Sequence, residues 1–63
     1  MIANEVKHLR VKKKLSQEKL ARLADISYNT IVKIETRSTL SPGIKTISKI
    51  AKALGVTVDE LIN

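Results

Sequence analysis

Ser16-Gln17-Glu18-Lys19-Leu20-Ala21-Arg22-Leu23-Ala24-Asp25-Ile26-Ser27-Tyr28-Asn29-Thr30-Ile31-Val32-Lys33-Ile34-Glu35 is the stretch that decides the fold. Ser16 and Ser27 are both good N-caps, because a short hydroxyl can accept a first-turn backbone N–H. Behind Ser16, the residues Leu20, Leu23 and Ala24 share one helical face, which predicts a buried stripe and a helix to about Ala24. After only Asp25 and Ile26 the second cap opens another helix, running to about Glu35 with Ile31 and Ile34 facing inward. Two short helices joined by so tight a turn cannot lie antiparallel. They must cross steeply.

Working outward, Ile2, Val6 and Leu9 fall at i, i+4 and i+7 with Asn4, Lys7 and His8 between them. That spacing predicts an amphipathic first helix over roughly 2–13. Lys12-Lys13-Lys14 makes a basic exit, where cations favour a helix C-terminus. Residues 36–43 read as a loop, marked by Thr, Ser, Pro42 and Gly43. A fourth helix over roughly 44–54 buries Ile47, Ile50, Ala51 and Leu54, and Lys45, Lys49 and Lys52 form its wet face. Gly55 sits where a left-handed helix end needs a residue without Cβ. Thr57-Val58-Asp59-Glu60 is a capping box that opens a last short helix carrying Leu61 and Ile62. Five helices and no strand give an all-α chain, one domain over 1–63, with a helix-turn-helix at about 16–35.

Composition narrows the function. The chain has 63 residues, no cysteine and one histidine, so neither a disulfide nor a thiolate metal site supports it. No metal and no cofactor are expected. No nucleophile–His–carboxylate set, Gly-rich phosphate loop or carboxylate cluster is present, so the chain does not read as an enzyme. No stretch is long and apolar enough to span a membrane, and no signal-peptide pattern opens the chain. A cytoplasmic protein is expected. The net charge is +6 with a pI near 10.0. Residues 1–37 hold nine basic and four acidic side chains, a balance of +5, whereas residues 38–63 hold three and two, a balance of +1. A basic face on one half of a small domain fits a polyanion. Solubility alone would explain the charge equally well, so charge by itself settles nothing.

The chain resembles the phage repressor and Cro family of helix-turn-helix domains, the XRE-like transcriptional regulators. Leu15 to Ala21 matches the family's second helix and Ile26 to Glu35 its third. Ile50-Ala51-Lys52-Ala53-Leu54-Gly55-Val56-Thr57-Val58-Asp59-Glu60-Leu61 matches its closing segment. The resemblance implies a five-helix, lambda-repressor-like fold that binds double-stranded DNA and regulates transcription, with a repressor role. The third helix becomes the recognition helix, whose leading end enters the major groove while the second helix lies across the backbone. Gln17 matches a position that holds a phosphate, and with Ser16 it opens a helix whose first N–H groups suit an anion. Thr30 and Arg37 are the other implied phosphate contacts. Lys12 to Lys14 and Lys19 read either as phosphate contacts or as solvated residues.

Base reading is assigned to Ser27, Tyr28, Asn29 and Lys33. Asn29 and Lys33 are four apart and project together. Asn suits adenine N6 and N7, and Lys suits guanine O6 or N7. Tyr28 fits a thymine methyl, a phosphate or packing on a neighbouring helix, and Val32 fits a thymine methyl or the edge of the core. Arg10 and Glu35 occupy positions that in many relatives form an ion pair orienting the third helix. Whether this pair is buried or exposed decides its weight. Dimers on inverted repeats are implied, which assigns Val58, Leu61 and Ile62 either to a homodimer interface or to plain core. No small-molecule ligand is expected.

The chain departs from its relatives at three places. Asp25 stands in the turn where many have Gly, and it tolerates left-handed dihedrals better than most residues. Thr36-Arg37 follows Glu35 where many also have Gly. Residues 38–43 carry no basic side chain, so no arginine from this loop reaches a minor groove. Antitoxins built on the same fold are the other function class that fits, with a second protein as main partner. A membrane-surface cationic peptide is disfavoured, because capped short helices sharing a core fold without lipid.

Overall fold

The computed structural model describes residues 2–36 and 42–62, with the side chains of 5–36 and 42–62. It contains α1 (Ile2–Lys12), α2 (Gln17–Ala24), α3 (Tyr28–Glu35), α4 (Ile44–Leu54) and α5 (Val58–Ile62), with no strand among the described residues. The expected architecture is therefore the observed one, and only α1 stops a residue short of the expected end. No helix among the described residues is long and apolar enough to cross a membrane.

Each helix contributes to one aliphatic core. Val6 comes from α1, Leu20, Ala21 and Ala24 from α2, Ile31 and Ile34 from α3, Ile50, Ala51 and Leu54 from α4, and Leu61 from α5. α2 packs against both α3 and α4, while α1 packs against α3, α4 and α5. The sequence reading placed Leu23 inside, but Leu23 is 52% exposed and Ala21 is buried in its stead. The buried stripe of α2 is rotated toward Ala21, because a helix wedged between two neighbours needs small residues where both approach.

The helix starts follow their caps. Ser16 Oγ accepts the Lys19 N–H at 2.9 Å and Ser27 Oγ accepts the Thr30 N–H at 3.1 Å. At the start of α5 the Glu60 N–H donates to Thr57 Oγ1 at 3.2 Å, and the Thr57 N–H donates back to Glu60 Oε1 at 3.4 Å. This is the reciprocal box read from the sequence.

Three helix ends share one device. Lys14, Asp25 and Gly55 adopt φ of 59°, 57° and 71°. The N–H of each donates to the carbonyl three residues back: Lys14 to Val11, Asp25 to Arg22 and Gly55 to Lys52. The next residue's N–H reaches five back: Leu15 to Arg10, Ile26 to Ala21 and Val56 to Ala51. This paired pattern closes a helix in the left-handed region, and an apolar residue follows to seal it. Leu15, Ile26 and Val56 do so, each packed against the core. Sequence reading found the device only at Gly55 and Asp25, because a lysine gives no local sign of a positive φ. A Cβ in the left-handed region costs roughly 1–2 kcal/mol. Lys14→Gly is therefore expected to raise the melting temperature by about 4–8 °C, the shift that about 1 kcal/mol produces in a domain of this size. A thermal scan showing a fall would mean that the Lys14 side chain contributes more than its backbone strain removes.

Candidate nucleic-acid interface

The outward face of α3 follows from its burial pattern. Ile31 and Ile34 are inside, whereas Ser27, Tyr28, Asn29 and Lys33 are exposed, Tyr28 at 50%. The aliphatic pair pins the helix to the body, and helical periodicity then turns Asn29 and Lys33 outward together. Val32 and Thr30 are half-buried at the margin of this face. No acidic residue lies in the first turn of α3, so nothing there opposes an approaching anion. The hydroxyls of Ser27 and Thr30 lie 2.7 Å apart in a mutual hydrogen bond. Both residues are therefore engaged in the cap and hold the leading end in shape.

The start of α2 presents Ser16, exposed, and Gln17, half-buried. Lys19 is exposed beside them. Glu18 and Arg22 form an i,i+4 pair at 3.6 Å with both side chains 71% exposed, a contact worth little in water. Arg37 lies outside the described residues.

Behind α3 sits a polar cluster that joins three helices. Arg10 Nε donates to Glu35 Oε2 at 2.8 Å and Arg10 Nη2 donates to Glu35 Oε1 at 3.1 Å. Arg10 Nη1 donates to the Leu15 carbonyl at 2.7 Å, and Gln17 Nε2 donates to Glu35 Oε1 at 3.0 Å. The side chains of Arg10 and Glu35 are 12% and 3% exposed. The pair is thus part-buried, with the Glu35 carboxylate the more enclosed partner, and of the fork-to-fork kind. Gln17 belongs to this cluster, a role that sequence reading did not assign, since a contact 18 residues apart leaves no local pattern.

In α5, Leu61 is fully inside the core and Val58 packs against its edge. Of the three residues read as a homodimer interface or core, Leu61 is core. Ile62, at 48% exposure, is the one with an open apolar surface.

A family model described as "Helix-turn-helix" matches residues 6–61, which takes in all of α2, the turn and α3. The chain belongs to this helix-turn-helix family, which is a regulator family and not an enzyme family. It is 35% identical over its whole length to the cryptic phage CTXphi transcriptional repressor RstR of Vibrio cholerae, of which it covers 56%. It is 36% identical over 92% of its length to an uncharacterised HTH-type transcriptional regulator of Methanocaldococcus jannaschii, of which it covers 86%. The chain therefore spans about half the length of the Vibrio repressor and most of the archaeal regulator.

Proposed function

We propose that this chain is a sequence-specific double-stranded DNA-binding domain of a transcriptional repressor, acting in the cytoplasm as a homodimer on an inverted repeat. The observation that carries the reading is the outward pairing of Asn29 and Lys33 on a helix anchored by Ile31 and Ile34. An amide and an ammonium side by side on a rod that fits the major groove can read adjacent bases by their hydrogen-bonding edges. The capped start of α2, with Ser16 and Gln17, offers a backbone phosphate two first-turn N–H groups and the positive end of the helix dipole. Thr30 and Arg37 are the further phosphate contacts of this reading. The open surface of Ile62 and the flank of Val58 supply the apolar part of the dimer contact.

Selection of bound sites from random duplexes, followed by footprinting, tests this reading. The expected site is an inverted repeat with half-site centres about 34–36 Å apart. A single asymmetric footprint would rule out the dimer, and no enrichment of any sequence would rule out base reading. On the selected site, Asn29→Ala is expected to cost about 1–3 kcal/mol, confined to one base pair. An equal loss on every duplex would instead make Asn29 a phosphate contact.

A further inference from the structure

We propose that Gln17 is a positioning residue for the recognition helix, sharing its side-chain amide between Glu35 and the DNA backbone. The inference rests on the DNA-reading function proposed above and deepens it. α2 and α3 are held together at one end by the turn through Asp25, Ile26 and Ser27. Their far ends are Gln17, the first residue of α2, and Glu35, the last of α3. The 3.0 Å bond from Gln17 Nε2 to Glu35 Oε1 therefore closes the open side of the V that these helices make. Arg10 secures the same carboxylate from α1, and its third nitrogen holds the Leu15 carbonyl just ahead of α2.

Burial of Ile31 and Ile34 decides which face of α3 is inside, but apolar contact is non-directional. A hydrogen bond is directional, and its strength falls steeply with angle. The Gln17 bond thus ties the swing of α3 about the turn to the start of α2, beside the hold that Arg10 has from α1. A primary amide carries two N–H donors, and only one is needed by Glu35. The other is available at the first turn of α2, where a phosphate is expected. One side chain then ties the phosphate register of α2 to the tilt of α3.

The lever arm makes the consequence specific. At 1.5 Å per residue, Asn29 lies about 1.5 Å along the axis from the start of α3, and Lys33 about 7.5 Å. A swing about the turn displaces Lys33 far more than Asn29.

The test is Gln17→Met, which keeps the chain length and removes the amide. Affinity is measured on the selected duplex, on a scrambled duplex of equal length and on the single-base variants of the selected one. The expected result is a fall of about tenfold in the selected-to-scrambled affinity ratio, the size of one charge-assisted hydrogen bond. Discrimination should be lost mainly at the base pair read by Lys33 and kept at the one read by Asn29. Any loss of folded fraction lowers both affinities by the same factor and leaves the ratio unmoved, so a merely structural role is excluded by the readout. An equal loss on both duplexes would make Gln17 a phosphate contact alone and overturn the proposal, as would an unchanged ratio. Failure of the unaltered protein to prefer any duplex would instead remove the DNA-reading function itself.

Discussion

Arg10→Ala should lower the unfolding free energy by about 3–5 kcal/mol, measured by urea denaturation followed by far-ultraviolet circular dichroism. The reason lies in what the substitution leaves behind. Glu35, whose side chain is only 3% exposed in the intact protein, loses its cation and keeps the Gln17 amide as a partner. An ionised carboxylate left in such a site without its cation is costly. For a chain of 63 residues the whole stability is on the order of 3–9 kcal/mol, at 0.05–0.15 kcal/mol per residue. The substitution is therefore large enough to unfold much of the population. A loss below about 1 kcal/mol would place the pair with the exposed kind and contradict its burial. Replacing both partners together by apolar residues of similar volume should be far milder, since no charge is then stranded.

The second large effect is expected at Ile31→Ala, with a loss of about 2–5 kcal/mol in the same measurement. Ile31 is fully buried, and α3 has only eight residues to hold it to the body. Truncating it removes transfer energy and leaves a cavity that α1 and α2 can fill only by shifting α3. Ile31→Val removes a single methylene and should cost only about 0.5–1.5 kcal/mol. Equal losses for the two variants would show that the side chain is not packed as described. Binding should follow folding here. At a DNA concentration of about 100 times Kd, the complex regains about 2.7 kcal/mol, so the selected duplex should restore much of the structure of Ile31→Ala.

The parts of the fold that could be read from the sequence are those written locally. Ser16, Ser27 and the Thr57–Glu60 box act over three residues, and each stands where it was expected. Gly55 marks its helix end by lacking a Cβ. The inward residues of α3 and α4 follow from period alone. Leu23 was misplaced because periodicity fixes a stripe only to within one neighbour, and the choice between Leu23 and Ala21 belongs to the helices packed alongside. Lys14 was missed because its left-handed conformation is imposed by the paired bonds of Lys14 and Leu15 to the preceding helix. For the site, the exposure of Asn29 and Lys33 was legible once Ile31 and Ile34 were taken as core. The Arg10–Glu35 pairing came from resemblance, while its enclosure depends on how three helices pack and has no local sign. The Gln17 bond to Glu35 had no signal at all in the chain, because nothing local links residues 17 and 35.

Ala21 and Ala24 are two of the three alanines in the core, and both sit on the helix that packs against α3 and α4. Small side chains at such places let neighbouring backbones draw close, so the pitch at which the reading rod leaves the body is governed by absent volume. One added methylene at either alanine would act as a shim, tilting the rod while leaving every base-facing residue unchanged. Proteins sharing this scaffold could thus diverge in the operators they favour through changes that never touch DNA.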